Sequence, residues 1–367
     1  MSSPSPPLSA GMFLMPVPDP KKPLAQCYDE DIELVLNCEE FGLKEFWCGE
    51  HHSSVVENIV MPEIFIAKAL GMTKNIRMGA SPVCLQYHHP VHVASRLAFL
   101  DHLSHGRLNV CFGLGAVPTD LEVYGVDPQK SGHMVSESME AILQIWSSDP
   151  PYQFDGKFWN FKLKDAIDPD LSIGTLHKPL QRPFPPISVP CVNRGSYSIK
   201  LAGTRGFRPI SHHMAHTKTL KNHWETYAAA AEEAGRTPDP SVWSVSRNIL
   251  VTESNDEARQ LAHDNSLGRC IEYILEMTRR GPGVDMWKRD ENQSDTDCNL
   301  DYFVDDVIIA GDPPTVTEKI LQLREEVGDF GTLVLVAHDW DDKVRWQKSL
   351  ELFAKEVLPA VNRQIAV

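Results

Sequence analysis

Short apolar runs alternate with amphipathic helical stretches along almost the whole chain, and this alternation restricts the fold more than any other feature. The first run, GMFLMPV at residues 11–17, reads as a strand; Tyr28, Ile32, Val35 and Leu36 then share a helical stripe closed by Gly42. EFWCG (45–49) is a second strand, and Pro62 opens a helix to Gly71 with Ile64, Ala67 and Leu70 inward. A third strand at 76–85 precedes a helix from Pro90, in which Val93, Leu97 and Leu100 share a face and Gly106 is the stop. RLNVCFGLG (107–115) is nearly apolar throughout, as a strand covered on both faces should be. A helix at 133–147 follows, with Val135, Met139, Ile142 and Trp146 on its buried stripe.

The pattern is interrupted by YQFDGKFWNF (152–161), an Asp-Gly hairpin signal, and by a proline-rich loop to Pro186. It resumes with ISVPCV, a helix at 196–205, FRPISHH, and a helix carrying Leu220, Trp224, Tyr227 and Ala231. The seventh strand lies in SVWSVSRNILVTE, followed by a helix at 255–279. The polar tract 279–299 has no periodicity and reads as mobile. TVTE (315–318) is a capping-box sequence for a helix to about Val327, and GTLVLVAHDW (331–340) and a helix at 344–357 end the chain. Such alternation predicts a parallel sheet with helices outside, either an open doubly wound sheet or a closed barrel. The count of eight strands favours the α/β (β/α)8 TIM barrel, as does the absence of G-x-G-x-x-G after the first strand. GLGAVP after the fourth lacks the third glycine of a dinucleotide motif. The expectation is one domain spanning residues 1–367, with a hairpin inserted after strand four and a mobile lid between strands seven and eight.

Composition narrows the function. A net charge of −15 argues against a nucleic-acid partner, which would need a basic face for the phosphates. The eight cysteines include no C-x-x-C pair and several lie in apolar runs, so buried free thiols in a reducing compartment are expected. No signal peptide and no 18-residue apolar run is visible, and a cytoplasmic, non-membrane protein is the expectation.

In such barrels the chemistry occurs at the C-terminal ends of the strands. Glu50, His51 and His52 follow the second strand, Ser81 and Pro82 lie in the third, and Gly113 and Gly115 end the fourth. Asn193 to Ser196 follow the fifth, His212 and His213 the sixth, and His338 and Asp339 the eighth. Rim histidines suit a zinc hydrolase, but barrel-strand ligands need i, i+2 spacing to face one side. The rim pairs here are adjacent histidines, so no metal site is expected. The turn NRGSYS instead joins a strand to a helix N-terminus and offers Arg194, the Gly195 backbone, and the Ser196 and Ser198 hydroxyls. Helix N-termini bind phosphate through unpaired N–H groups and the positive end of the dipole. An ordinary serine cap beside a surface arginine is the bland alternative.

EFWCGEHHSSVVENIVMPE, LDHLSHGRLNVCFGLG and GTLVLVAHDWDD resemble the bacterial-luciferase-like flavin-dependent monooxygenases, over nearly the whole chain and in order. FWNF after the hairpin and SLELFAKEVLPAVN near the end are similar to the diketocamphane and limonene monooxygenase branch. The resemblance implies a two-component enzyme that takes reduced FMN from a separate flavin reductase and forms a homodimer. It implies oxygen transfer from O2, through a flavin C4a-peroxide, to a small apolar substrate such as a cyclic ketone or aldehyde. His51, the first histidine of E-H-H, matches the family's catalytic imidazole, with His52 turned into the β/α packing. The phosphate grip falls on Arg194, Gly195, Ser196 and Ser198, while Ser81, Gly113 and Gly115 would line the flavin ring. The luciferases carry a reactive cysteine where this chain has Gly113. A cis peptide bond between Ser81 and Pro82 is also implied.

An apolar pocket walled by Met15, Trp47 and Phe112 would suit a terpenoid or alicyclic ketone. His338 and Asp339 could orient the substrate or cap a helix. The tract 279–299, through Met286 and Trp287, would close over the flavin. A deazaflavin-dependent hydride-transfer enzyme, a non-catalytic flavin-binding subunit and the zinc hydrolase are the competing readings.

Overall fold

The computed structural model describes residues 7–366. Strand β1 (Ser9–Leu14) leads into helix α1 (Leu24–Glu40), and β2 (Glu45–Cys48) into α2 (Pro62–Leu70). The third strand is in two pieces, β3 (Arg77–Ala80) and β4 (Val83–Cys84), on either side of a Ser81–Pro82 bond that is cis, as expected. Next come α3 (Pro90–Leu103), β5 (Val110–Gly113), a short α4 (Pro118–Val123) and α5 (Ser131–Ser147). β6 (Tyr152–Asp155) and β7 (Asn160–Leu163) form the antiparallel hairpin, its turn closed by Gly156 N–H donating to Trp159 O at 3.0 Å.

The second half runs β8 (Ile187–Cys191), α6 (Tyr197–Arg205), β9 (Arg208–Ser211), α7 (Thr217–Glu233), β10 (Ser244–Arg247) and β11 (Ile249–Val251). It continues through α8 (Asn255–Asp264), α9 (Ser266–Arg279), α10 (Leu300–Asp306), β12 (Ile309–Gly311) and α11 (Pro313–Val327). β13 (Thr332–Ala337), α12 (Lys343–Leu352) and α13 (Leu358–Ile365) complete it.

The main sheet has the order β3-β2-β1-β13-β10-β9-β8-β5-β4. β1 pairs in parallel with β13, β13 with β10, β10 with β9, β8 with β5 and β5 with β4. Because β3 and β4 are halves of one strand, the order returns to its start, and Met78 bridges in parallel to Leu108. That is the strand arrangement of the (β/α)8 barrel, so the α/β TIM-barrel class is the observed one. By packing, the chain divides into two compact units, one from Cys48 to Ser188 and the other holding the segments on either side of it.

Several local expectations are corrected. Helix α2 buries Pro62, Ile66, Ala69 and Leu70, whereas Ile64 and Ala67 face outward. The segment is apolar on nearly every side, so its periodicity carries little information about which face is covered. The helix expected at 255–279 breaks at Asn265, an extended residue whose side chain accepts a hydrogen bond from Leu267 N–H at 2.9 Å. Asp312, not the threonine of TVTE, caps α11 by accepting from Thr315 N–H at 2.9 Å. Phe112 is a core residue, stacked on Trp146 of α5 at 6.2 Å between ring centroids. Trp47 is core as well, its indole N–H donating to Glu45 Oε1 at 3.0 Å. All eight cysteines are free and buried, and no helix among the described residues is long and apolar enough to cross a membrane.

Candidate functional site

In the Cys48–Ser188 unit, the loop after β2 is built around two carboxylates. Glu50, only 1% exposed, accepts from His52 Nε2 at 2.9 Å and His88 Nε2 at 2.5 Å on one oxygen, and from Cys84 N–H at 2.9 Å on the other. Burial alone would raise its pKa, but the hydrogen bonds from His52 and His88, the charge of His88 and the Cys84 amide outweigh it and hold the carboxyl at about 2. The two imidazoles thereby carry hydrogen on Nε2, and His52 Nδ1 is left to accept from Tyr124 Oη at 3.0 Å. Glu50, His52 and His88 present donor atoms within 4.8 Å of one another, so they could hold a metal ion. Their mutual hydrogen bonds already account for the arrangement.

His51 faces the other way. Its backbone N–H donates to Ile59 O at 3.0 Å, closing the loop, and its ring remains 23% exposed. Nδ1 stands 3.1 Å from Oε2 of the buried Glu57, although neither atom completes an aligned hydrogen bond. Gly49 makes room for the ring: a Cβ there would lie 3.1 Å from His51 Nε2. Adjacent histidines thus diverge. His52 is bound into the Glu50 network and His51 is presented.

Ser81 donates its amide to Cys48 O at 2.8 Å, and its hydroxyl contacts the Cys111 thiol. Burial pushes that thiol up to about 12, the Ser81 contact only partly offsetting it, so Cys111 is an inert core residue. Gly113 pairs with Cys84 at the end of the fourth barrel strand. The space beside Gly115 is taken by the Tyr87 hydroxyl, which a side chain at 115 would strike.

In the other unit, β8 delivers the chain to the N-terminus of α6 through the expected turn. Gly195 is left-handed at φ +58°, its N–H donates to Asn222 Oδ1 at 2.8 Å, and no atom lies within 4 Å of where a Cβ would be. Ser196 caps the helix by position, yet its hydroxyl lies 3.0 Å from Ser198 Oγ rather than on a backbone amide. The first turn of α6 contains no acidic residue. Arg194 is exposed and aimed by Thr219 Oγ1, 3.0 Å from its Nε, and by Arg289 O, 2.9 Å from an Nη. Helix N-terminal amides without a side-chain cap, two hydroxyls that bond only each other, an open glycine and a guanidinium form a cradle whose chemistry fits a phosphate.

The same unit holds a buried imidazole chain. Asn248 bridges His213 Nδ1 at 2.9 Å and His338 Nε2 at 3.0 Å, and the His212 ring stacks between those of His213 and Trp287 at 4.3 and 4.8 Å. Burial drives His212 and His338 down to about 3 and His213 well below its usual value, so all three are neutral. Asp339 neither caps a helix nor joins this chain: it pairs with Lys22 Nζ at 2.6 Å, and Asp342 caps α12. The tract 279–299 is anchored by buried Val284, Trp287 and Cys298, with Lys288 bridging Asp285 and Asp295 at 2.6 Å each. Three apolar residues among many polar ones suffice to fasten it, which a search for periodicity overlooks.

Sequence reasoning missed Glu57, His88 and Asn248. No motif marks them, because each meets its partner through loop geometry or across strands.

Residues 8–329 match the family of luciferase-like monooxygenases. The chain is 32% identical to 3,6-diketocamphane 1,6-monooxygenase of Pseudomonas putida over 96% of its length and 98% of that protein's. It is 30% identical to limonene 1,2-monooxygenase of Rhodococcus erythropolis, covering 91% and 81%. Its fold superposes with a TM-score of 0.87 and 33% identity, over 96% of this chain and 98% of the other, on the oxygenating constituent of 3,6-diketocamphane monooxygenase from Pseudomonas putida. That protein is a type II Baeyer-Villiger monooxygenase solved in complex with FMN. With the barrel order, the strand-to-helix cradle and the histidine loop, these likenesses make the chain a member of the luciferase-like monooxygenase family.

Proposed function

We propose that the protein is the oxygenase of a two-component system, using reduced FMN from a separate flavin reductase to insert one atom of O2 into a small apolar substrate. Baeyer-Villiger oxidation of a cyclic ketone is the favoured reaction, supported by the full-length relatives that carry out such chemistry. The observation that carries the reading is the cradle at residues 194–198, with its open glycine and two serine hydroxyls that pair with each other instead of capping α6. Arg194, Gly195, Ser196 and Ser198 take the FMN phosphate. Ser81, Gly113 and Gly115 belong to the wall along the flavin ring.

Bound flavin supplies the activation of O2; the protein supplies position, dryness and proton control. His51 exchanges a proton with the reacting oxygen, since imidazole can serve as acid and base near neutral pH. Residues 279–299, held by buried Val284, Trp287 and Cys298, form the cover, with Met286 and Trp287 as its apolar contacts. The neutral His213–Asn248–His338 chain offers polar contacts without an added charge, which suits an uncharged ketone.

His51→Ala should lower ketone turnover by about 10²-fold or more. The affinity for FMN, followed by fluorescence quenching, should stay within a few-fold, because the imidazole lies outside the phosphate cradle. Turnover preserved within a few-fold would remove His51 from the mechanism.

A further inference from the structure

We propose that Glu57 is the positioning residue for His51: its carboxylate takes the Nδ1–H of the imidazole and leaves Nε2 to exchange the reacting proton. This rests on the proposed role of His51. Four observations converge on it. Glu57 Oε2 and His51 Nδ1 are 3.1 Å apart, and neither makes any other hydrogen bond. A buried carboxylate oxygen left unpaired is costly, so the aligned Glu57–His51 pair is the arrangement that satisfies both atoms. The loop is fixed around the pair by His51 N–H on Ile59 O at 3.0 Å and Glu57 N–H on Ser54 Oγ at 3.0 Å. Gly49, by lacking a Cβ, leaves room for the ring in the position where Nδ1 lies beside Glu57.

The charges around Glu57 act in both directions. Burial is the largest influence and raises its pKa; His51 lowers it, and Asp120 on α4 raises it. Asp120 is itself engaged by His52 N–H at 3.1 Å and by the Ser53 hydroxyl, so it is no competitor for His51. The division of labour among the carboxylates follows. Glu50 locks His52 and His88, while Glu57, with a single imidazole partner, responds to the state of His51. During proton transfer the Nδ1 proton remains on the ring, hydrogen-bonded to Glu57. One proton leaves or joins Nε2, and the positive charge of the doubly protonated ring is balanced by the carboxylate.

The test compares Glu57→Gln and Glu57→Asp with the parent protein. Glutamine should lower turnover by about 10-fold to 10²-fold with FMN affinity unchanged. The pH limb of turnover should move down, because an anion favouring the imidazolium is gone. Aspartate should restore part of that limb. In the flavin-free protein, ¹⁵N NMR should find His51 with hydrogen on Nδ1 in the parent and lose that preference in Glu57→Gln. An unchanged tautomer and pH limb in Glu57→Gln, with His51→Ala inactive, would overturn the role of Glu57 alone. If His51→Ala is active, the failure lies in the underlying reading.

Discussion

Glu50 is the residue on which the histidine loop depends. It receives three hydrogen bonds while almost fully buried, and its pKa is held down to about 2 from 4.5. A carboxyl with a lowered folded pKa contributes stability that is complete above its unfolded value and is lost as the pH falls through the folded one. Glu50→Gln should therefore cost about 3 kcal/mol near pH 7. The difference from the parent should shrink between about pH 4.5 and pH 2, and urea unfolding across that range would measure it. A deficit that does not depend on pH would mean that packing, not charge, is what Glu50 provides. At this scale the sequence was only partly legible. The turn at Arg194–Ser198 could be read because strand, glycine, serine and helix are contiguous. Glu57 and His88 could not, since their partners are reached through a loop fold or from another strand.

At the scale of elements, the alternating apolar runs placed almost every barrel strand within a few residues, because a strand buried on both faces is written as a continuous apolar run. Helix faces were legible where one side is polar, as in α5, whose buried Val135, Met139, Ile142 and Trp146 were anticipated. Helix α2 defeated the same reasoning because it is apolar nearly all round. Its uncovered residues have a physical consequence. Ile64 on α2 is 71% exposed and Phe99 on the neighbouring α3 is 64% exposed, with Met61, Met72 and Leu103 exposed as well. Exposed apolar residues on adjacent helices are a candidate face for the homodimer that the sequence resemblance implies. Light scattering at micromolar concentration should give a dimer for the parent and a monomer for the Ile64→Glu, Phe99→Glu double variant. A monomeric parent would refute this use of the face.

For the whole molecule, the barrel order and the full-length likeness to monooxygenases fix the class of enzyme, and the roles proposed for the 194–198 turn and for His51 are those that the proposed reaction needs. Substrate identity is written in side chains that meet from distant strands, which is why the alternation of elements says little about it. The decisive measurement is oxygen incorporation with ¹⁸O2, reduced FMN, any flavin reductase and a panel of cyclic ketones, read by mass spectrometry of the products. The account predicts a lactone carrying one ¹⁸O atom, formed only when reduced FMN is present. Ketone reduced to alcohol with a reduced deazaflavin, and no labelled product with FMN, would contradict it.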